Sequence, residues 1–301
     1  MDISGNAVKN LGKRLRNTEV TDTDLVLLED YRASFDPLLV NTSLQLDDAL
    51  AQTGIPYLVS GRSKRTKSII RKLRRPQNHG MDLSRISDMV GLRVLVENVG
   101  QQQSIFECVC RAFSIKDVDD YRNAPQVTGY RSAHIIVRDG KRLLEIQLRT
   151  LPQHLWAVES EAFGEKVKEG SATGDVLEYL NALRDASAQL DAGHAPDEAS
   201  HPAPFMDARR PLTGKFPRLL KLFREAAKCE GRGQATASYL IVFDRQLGEL
   251  VHDFPFGAAA REEATCNYRK LCREIDESKM DVLIINSPSR IGIEVTHPQF
   301  F

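Results

Sequence analysis

The hydrophobic pattern begins with a helical stretch over residues 21–52. Its apolar side chains recur at intervals of three and four residues, and Thr21 and Thr23 precede them as candidate caps. The apolar positions are Leu25, Leu28, Tyr31, Phe35, Leu38 and Leu39. The segment Gly54-Ile55-Pro56 ends the pattern, so we predict one long helix or two helices before it.

Strand-like and helix-like patterns then alternate along the chain. Residues 57–59 predict a short strand, and residues 67–73 predict a helix that is entered through a basic turn. Val90–Val96 is a β-rich run, and residues 101–113 have the spacing of an amphipathic helix. This alternation is typical of a sheet with helices packed on it.

A turn signal, Asp139-Gly140, separates residues 130–138 from residues 141–150. Both flanking runs alternate polar and apolar side chains, so they predict a tight β-hairpin. Two long helices are predicted next, near 151–167 and 175–190. The predicted fold class is therefore α/β (α+β), a mixed β-sheet flanked by helices.

Residues 191–204 interrupt this order with the sequence DAGHAPDEASHPAP, which is typical of a linker. We predict a helical lead-in over 1–54, a main domain over 55–190 and a small C-terminal α/β domain of unknown role over 205–301. The C-terminal elements are a helix at 216–228, a hairpin of 239–243 with 250–254, a helix at 258–275 and a buried strand at 282–285.

Composition excludes several classes of function. The 301 residues are 42% hydrophobic, and 41 Lys plus Arg balance 41 Asp plus Glu, so the whole chain has no net attraction to nucleic acid or anionic lipid. No apolar run approaches the roughly 18 residues of a membrane span, and the first residues lack the apolar core of a signal peptide. We expect a cytoplasmic protein with no membrane partner, whose five scattered cysteines are reduced.

Positive charge is concentrated in residues 62–75, which carry eight Lys and Arg in fourteen positions and no acid. At a turn that runs into a helix, such density is typical of a polyphosphate site, because the helix dipole and free N–H groups add to the side-chain charge. A solvated basic helix face and a nucleic-acid patch are the alternatives that this pattern leaves open.

Two carboxylates accompany the basic segment. Asp88 stands just ahead of Val90–Val96. A lone Asp before a strand is most often a turn or cap residue, so a chemical role for Asp88 requires a partner. Glu145 is the candidate for that partner. Polar side chains alternate along the two hairpin strands: Tyr130, Ser132 and His134 on the first, and Glu145, Gln147 and Arg149 on the second. Two carboxylates can hold Mg²⁺ while Arg and Lys bind phosphates, so the pattern favours a Mg-nucleotide transferase.

Other classes of nucleotide enzyme are disfavoured, because no G-x-x-x-x-G-K-[ST], G-x-G-x-x-G or kinase-type H-R-D motif occurs.

Four ordered motifs within residues 55–168 carry a family resemblance: GRSKRTKSIIRKL, ISDMVGLRV, GYRSAH and EIQLRT. Together they resemble the synthetase domain of the RelA/SpoT family, which would be the main domain of this chain. The resemblance implies ATP as pyrophosphate donor, Mg²⁺ as cofactor and the 3′-hydroxyl of a second nucleotide as acceptor. About 55 residues precede the motifs, so we expect no hydrolase domain like that of the bifunctional family members.

The resemblance assigns five residues to the donor. It implies that Arg62 and Arg93 sandwich the adenine of ATP. Lys64, Ser68 and Lys72 would hold the ATP phosphates. All five lie in the first two motifs.

The carboxylates and the acceptor residues are assigned in the same way. Asp88 and Glu145 would bind Mg²⁺, and Glu145 would also orient or deprotonate the attacking 3′-hydroxyl. The residues assigned to the acceptor are Tyr130, which would stack on its base, with His134 and Ser132, while Gln147 and Arg149 are supporting. Arg131 falls on the opposite strand face from Tyr130 and has no assigned role.

Two departures from the family pattern concern the acceptor. Asp119-Asp120-Tyr121 stands where many members have Lys-Asp-Tyr, and residues 125–130, Pro-Gln-Val-Thr-Gly-Tyr, stand where they have Pro-Lys shortly before Asn-Gly-Tyr. Two lysines that would hold the 5′-phosphates of the acceptor are therefore missing, and each such contact is worth about 1.5 to 3 kcal/mol.

Three functions stay open from the sequence. The first is synthesis of (p)ppGpp from GTP or GDP. The second is that of a toxic small alarmone synthetase, which pyrophosphorylates the 3′ end of tRNA or an adenine nucleotide and is inhibited by an antitoxin. The third is a catalytically inactive RNA-binding or regulatory module, against which the two carboxylates argue. A homo-oligomer is a further possible assembly.

Overall fold

Ten α-helices and eight strands lie in the residues that the computed structural model describes: 4–17, 19–163, 174–195, 215–229, 236–275 and 279–301. The strands are β1 (Leu58–Ser63), β2 (Val90–Val96), β3 (Ile115–Asp120), β4 (Ala133–Asp139), β5 (Arg142–Thr150), β6 (Ala237–Asp244), β7 (Glu249–Phe256) and β8 (Met280–Ser287). The helices are α1 (Gly5–Asn17), α2 (Asp22–Ala33), α3 (Asp36–Ala51), α4 (Thr66–Arg74), α5 (Val99–Ala112), α6 (Leu151–Ala162), α7 (Asp175–Asp191), α8 (Phe216–Cys229), α9 (Arg261–Glu274) and α10 (Arg290–Thr296).

The strands form one mixed sheet in the order β3-β4-β5-β2-β1-β8-β6-β7. β2 and β5 run parallel, and the other neighbouring strands pair antiparallel. β2 lies inside the sheet with six of its seven residues buried, which accounts for its nearly continuous apolar run. The predicted mixed sheet flanked by helices is confirmed.

The two helices α2 and α3 cover the stretch that predicts one or two helices. Thr21 begins α2 with a capping box: its side chain accepts a hydrogen bond from the Asp24 N–H, and the Asp24 carboxylate accepts one from the Thr21 N–H. Both helices bury their apolar faces against the sheet in the largest hydrophobic cluster, which includes Leu28, Leu46 and Val94.

The predicted hairpin is formed by β4 and β5, with its turn one residue later than the sequence suggests. Asp139 pairs with Arg142, so the turn residues are Gly140 and Lys141. Gly140 has a φ of 56°, a left-handed conformation that glycine adopts at little cost. This turn fixes the register of the two strands that carry His134, Glu145 and Gln147.

The C-terminal elements form where the sequence predicts them, but they do not build a separate sheet. β8 pairs with β1 through Gly61–Asn286 and Arg62–Ile285, so β6, β7 and β8 extend the main sheet. Apolar residues from both sides of the predicted linker also share one hydrophobic cluster. The expected small α/β domain over 205–301 stays a prediction, and its strands lie in the main sheet because β1 has a second hydrogen-bonding edge with which β8 pairs.

Some predictions extend past the described residues. The linker 191–204 is described only to residue 195, and the helix near 151–167 only to residue 163, so the domain boundaries stay a prediction. Within the described ranges, no helix is long and apolar enough to cross a membrane. The cysteines whose side chains are described, Cys108, Cys110, Cys266 and Cys272, are free thiols.

Candidate active site

A polar cavity of about 460 Å³ is lined by residues of β1, β2, β4, β5, α4 and α6. Among the described residues that line it, eight are Lys or Arg and three are acids. Such an excess of positive charge suits a polyanionic ligand. Eleven of the twelve site residues assigned from the sequence line this cavity, and the exception is Ser132.

The strand register explains why these side chains converge. Arg93 of β2 lies beside Gln147 of β5, and His134 of β4 lies on the other side of Gln147. Directly paired residues project from the same face of a sheet, so this row brings three polar side chains together. Glu145 is two residues from Gln147 and shares that face, as the alternation predicts.

Asp88 is held between two lysines. Its carboxylate accepts hydrogen bonds from Lys64 Nζ at 2.6 Å and from Lys72 Nζ at 2.8 Å. Burial acts to raise the pKa of Asp88, but the two ammonium groups lower it to about 2. The resemblance implies that these lysines bind ATP and that Asp88 binds Mg²⁺, whereas here the three side chains pair with one another.

A hydrogen-bonded chain links Glu145 to Tyr130 through His134. His134 Nδ1 lies 2.9 Å from Glu145 Oε1, and His134 Nε2 lies 2.5 Å from the Tyr130 hydroxyl. Gln147 Nε2 donates to the second Glu145 oxygen at 2.8 Å, and Arg149 Nη2 donates to the Tyr130 oxygen at 2.8 Å. These contacts hold the Glu145 carboxylate in one orientation.

The charges of this chain shift the pKa values of its members. Burial acts to lower the pKa of His134, but Glu145 and Tyr130 raise it to about 9. Burial acts to raise the pKa of Tyr130, but Arg149 and His134 lower it to about 8. Burial also acts to raise the pKa of Glu145, and hydrogen bonding with His134 more than offsets this, so Glu145 is ionised at neutral pH.

Ser132 does not line the cavity, which corrects its predicted acceptor role. It is fully buried, and its hydroxyl donates to the Leu148 carbonyl at 3.1 Å. The physical reason is that β4 begins only at Ala133, so the two-residue alternation does not extend back over residues 130–132.

Two neighbours of the acceptor residues agree with the predictions. Arg131 lies outside the cavity lining and pairs with Asp191 at 2.9 Å. Trp156 is packed, as expected for the single Trp, with its indole N–H donating to the Leu180 carbonyl at 2.9 Å. It also lines the cavity, and its ring centroid lies 6.0 Å from that of Tyr130.

Among the lining residues that the sequence did not assign, the titratable ones outside the basic segment 62–75 are Glu161 of α6 and His297 beyond α10. Arg93 connects to the same C-terminal segment, since its Nη1 donates to the Thr296 carbonyl at 2.6 Å. Burial, with repulsion from two neighbouring guanidinium groups, lowers the pKa of Arg93. No local pattern marks His297, because its neighbours in the cavity are about 200 residues away along the chain.

The carboxylates fit a Mg²⁺ ion that is shared with a substrate. Asp88 and Glu145 both line the cavity, and the pKa of each is lowered, so both are ionised and could act as ligands. Mg²⁺ is usually held by one or two carboxylates together with substrate phosphates and water. In the described ranges, no group of three or more His, Cys, Asp or Glu could hold a metal ion.

The fold and the cavity define an α/β protein with a strongly basic cavity at its sheet. Residues 61–167 match the family model described as "Region found in RelA / SpoT proteins". The chain is 30% identical over 143 residues to GTP pyrophosphokinase YjbM of Bacillus subtilis (strain 168), covering 44% of this chain and 67% of that protein. The chain belongs to the RelA/SpoT family, and the prediction made from four motifs is confirmed.

Two further comparisons cover very different fractions of the matched proteins. The chain is 34% identical over 149 residues to the probable GTP diphosphokinase RSH2, chloroplastic, of Arabidopsis thaliana, covering 48% of this chain. It spans only 20% of that relative's length. The crystal structure of small alarmone synthetase 1 from Bacillus subtilis matches with 27% identity and a TM-score of 0.46, covering 57% of this chain and 94% of that one.

Proposed function

We propose that this chain is an ATP-dependent 3′-pyrophosphotransferase with a guanosine nucleotide as acceptor. It would move the β,γ-pyrophosphate of ATP to the 3′-hydroxyl of GTP or GDP and so make (p)ppGpp. The observation that carries the proposal is a cavity with two ionised carboxylates, Asp88 and Glu145, among eight Lys and Arg side chains. Phosphoryl transfer needs this combination, because positioning and charge neutralisation supply most of the catalysis. The names of the relatives as GTP diphosphokinase and pyrophosphokinase support it.

The donor phosphates would bind at the start of α4. Lys64, Ser68 and Lys72 line the cavity there, and Arg65, the N-cap residue of α4, makes no side-chain cap hydrogen bond. The first-turn N–H groups and the helix dipole can therefore add to the lysine charges. A polyphosphate would draw both lysines away from Asp88, because it carries more negative charge than one carboxylate.

The donor base would bind between Arg62 and Arg93. Both side chains line the cavity, and planar guanidinium groups stack on aromatic rings. Their strands are neighbours in the sheet, with Arg62 opposite Gly91 and Arg93 opposite Ser60. Since the two guanidinium groups also repel each other, a bound polyanion would offset that repulsion.

Glu145 is the proposed base for the acceptor hydroxyl. His134 and Gln147 hold its two oxygens, so the 3′-hydroxyl would approach a fixed carboxylate. The 3′-oxygen would bond to the β-phosphorus, the bond from that phosphorus to the α,β-bridging oxygen would break, AMP would leave, and the proton would pass to Glu145. When bound at Asp88 and Glu145, Mg²⁺ would neutralise charge on the transferred phosphates. Tyr130, held by Arg149, offers a ring on which the acceptor base can stack.

A second candidate function is transfer to the 3′ end of tRNA or to an adenine nucleotide. Gln126 and Thr128 line the cavity near Tyr130, and neither carries a positive charge for 5′-phosphates. An RNA acceptor would make its phosphate contacts elsewhere on the surface, so it would not need charge at this point. An antitoxin, a homo-oligomer and a cytoplasmic location stay predictions.

Transfer of label from γ-³²P-ATP with Mg²⁺ tests the proposal, with GDP, GTP, ATP and deacylated tRNA offered separately. Label in GDP or GTP would support (p)ppGpp synthesis. Label only in tRNA or ATP would support the second candidate. A folded protein that labels none of the four acceptors would favour the inactive RNA-binding module.

Two matched variants test the site itself. Glu145→Gln keeps the size of the side chain but removes the base, so we expect transfer to fall by roughly a hundredfold or more. Glu107→Gln makes the same change on the exposed face of α5 and should leave transfer unchanged. Undiminished transfer by Glu145→Gln, with a normal circular dichroism spectrum, would refute the assignment of the base.

A further inference from the structure

The C-terminal end of the chain forms part of the cavity wall. α10 packs beside β1, and its last residue, Thr296, accepts the hydrogen bond from Arg93. His154 Nε2 of α6 lies 3.0 Å from the Val295 carbonyl on the same helix. His297 follows, lines the cavity and is only 2% exposed. A segment in which the sequence shows no chemistry thus places a histidine at the site.

The hydrogen bonds around His297 fix its tautomer. The Thr296 hydroxyl donates its only proton to the Gly292 carbonyl, 2.9 Å away. His297 Nδ1 lies 3.0 Å from that hydroxyl oxygen, so Nδ1 carries a proton and donates it. In a neutral imidazole, Nε2 is then an acceptor with a lone pair.

Burial and charge leave this lone pair without a proton and without a hydrogen-bond partner. Nε2 of His297 is buried and has no hydrogen-bond partner among the described residues. Burial, with the charges of Arg93 and Arg62, lowers the pKa of His297 well below its ordinary 6.5, so the ring is neutral at physiological pH. An acceptor buried without a partner costs free energy, which an N–H group of a ligand would recover.

The surroundings of His297 indicate which ligand group would supply that N–H. Arg62 and Arg93 act on His297 through their charges, and they are the pair between which the donor base is proposed to bind. Adenine presents an amino donor at position 6, whereas guanine presents an oxo acceptor at the same position. The Nε2 lone pair would attract the amino group and repel the oxo group.

We propose that His297 selects adenine in the donor nucleotide by accepting a hydrogen bond from its 6-amino group at Nε2. The inference rests on the proposed function, because it takes ATP as the nucleotide at this end of the cavity. It adds a specificity residue from outside residues 61–167, the region that the family model covers. It also supplies a physical reason for the two nucleotide positions to distinguish ATP from GTP.

Calorimetric binding to the full chain tests this inference without turnover. The ligands are ATP, purine riboside 5′-triphosphate, which lacks the 6-amino group, and inosine 5′-triphosphate, which has a 6-oxo group, each with Mg²⁺ and no acceptor. We expect the wild type to bind purine riboside triphosphate about tenfold more weakly than ATP, the effect of one neutral hydrogen bond. Inosine triphosphate should bind more weakly still, because its oxo group faces the lone pair.

Three variants complete the comparison. His297→Phe keeps a flat ring beside Phe300 but removes Nε2, so it should bind ATP and purine riboside triphosphate equally. His297→Gln should keep the preference for ATP, because its amide oxygen can accept the same hydrogen bond. His252→Phe makes the matched change on the exposed strand β7 and should bind all three ligands as the wild type does.

The outcomes separate this inference from the proposed function. Equal binding of ATP and purine riboside triphosphate by the wild type would overturn the inference, as would a His297→Phe protein with an undiminished preference for ATP. If His297→Phe does not fold, His297→Leu takes its place in the same comparison. A wild-type protein that binds none of the three triphosphates would overturn the proposed function and this inference together.

Discussion

At the residue scale, Asp88 sets how much positive charge the cavity offers to a ligand. It accepts hydrogen bonds from Lys64 and Lys72, two side chains proposed to hold the donor phosphates. Glu145 likewise has protein partners on both oxygens. Binding of a nucleotide therefore requires an exchange of partners, and that exchange can be measured.

Asp88→Asn tests the exchange at the lysines. Without the carboxylate, Lys64 and Lys72 lose their internal competitor for phosphate. We expect tripolyphosphate without Mg²⁺ to bind about five- to tenfold more tightly, a gain of roughly 1 kcal/mol, while pyrophosphate transfer is lost. Calorimetry measures the affinity, with Asp139→Asn at the exposed end of β4 as control. Weaker binding of tripolyphosphate by Asp88→Asn would contradict this account of the charge balance.

Glu145→Gln should also change the titration of His134. In the wild type, Glu145 and Tyr130 raise the pKa of His134 to about 9 against the effect of burial. Without the carboxylate, less attraction for the proton offsets the effect of burial, so we expect the pKa of His134 to fall by about one unit or more. A histidine NMR titration measures it, and a pKa that stays near 9 would show that Glu145 is not the dominant partner.

The same pair predicts a pH dependence of stability. The pKa of His134 in the folded chain, about 9, lies above its ordinary 6.5. The contribution of the pair to the free energy of unfolding is therefore complete below pH 6.5 and is lost as the pH rises through about 9. The loss of stability in Glu145→Gln should be larger near pH 6 than near pH 10. Urea unfolding at both values checks this, and an equal loss at both would count against the pair.

At the scale of elements, the lead-in helix α1 supports α4, the helix at the proposed phosphate end of the cavity. Arg74 Nε of α4 donates to the Leu15 carbonyl of α1 at 2.8 Å. α1 also lies close to Leu83, because a Cβ atom at Gly12 would lie 2.9 Å from Leu83 Cβ and 3.2 Å from the Leu83 backbone nitrogen. Contacts this short with a buried neighbour require a shift of the helix or of Leu83.

Gly12→Ala should therefore destabilise the protein although alanine favours helices. The higher helix propensity offers about 1 kcal/mol, whereas overpacking costs about 1 to 3 kcal/mol, so we expect a small net loss in the free energy of unfolding. Gly5→Ala in the same helix is the control, because nothing lies within 4 Å of its added Cβ. Urea unfolding measures both, and a Gly12→Ala protein more stable than the wild type would show that α1 shifts at no cost.

At the scale of the whole molecule, one sheet and a shared hydrophobic cluster join the two sides of the predicted linker. The cluster contains Leu58, Leu95 and Leu151 from before the linker with Leu219, Phe223 and Val295 from after it. Leu151 is also the first residue of α6, the helix that carries Trp156. Loss of packing on the C-terminal side of the linker should therefore also destabilise the main domain.

Phe223→Ala tests this coupling. Phe223 is fully buried, and truncation of such a side chain costs about 3 to 5 kcal/mol. We expect the unfolding midpoint seen by Trp156 fluorescence to fall together with that seen by circular dichroism, because both report one cooperative transition. Leu247→Ala, at a position 70% exposed, is the control and should change neither. An unchanged Trp156 transition in Phe223→Ala would support the predicted independent C-terminal domain instead.

Much of the fold and of the site follows from local patterns in the sequence. Strand β2 has the predicted bounds, and the cap at Thr21 and the hairpin of β4 with β5 form as the sequence indicates. Hydrophobic periodicity and turn-forming residues depend on a few neighbouring positions, which is why these predictions hold. Ser132 shows the limit, because alternation has meaning only inside a strand and β4 begins one residue later.

The sequence by itself determined the elements, the family and the order of the charged motifs, because each is written in neighbouring residues. Only the tertiary structure decided that Asp88 pairs with Lys64 and Lys72, that β8 joins β1, and that His297 lines the cavity. The hydrogen bond from Arg93 to the Thr296 carbonyl spans 203 residues of chain. Contacts of that kind depend on which strand edges meet, and no local periodicity records that choice.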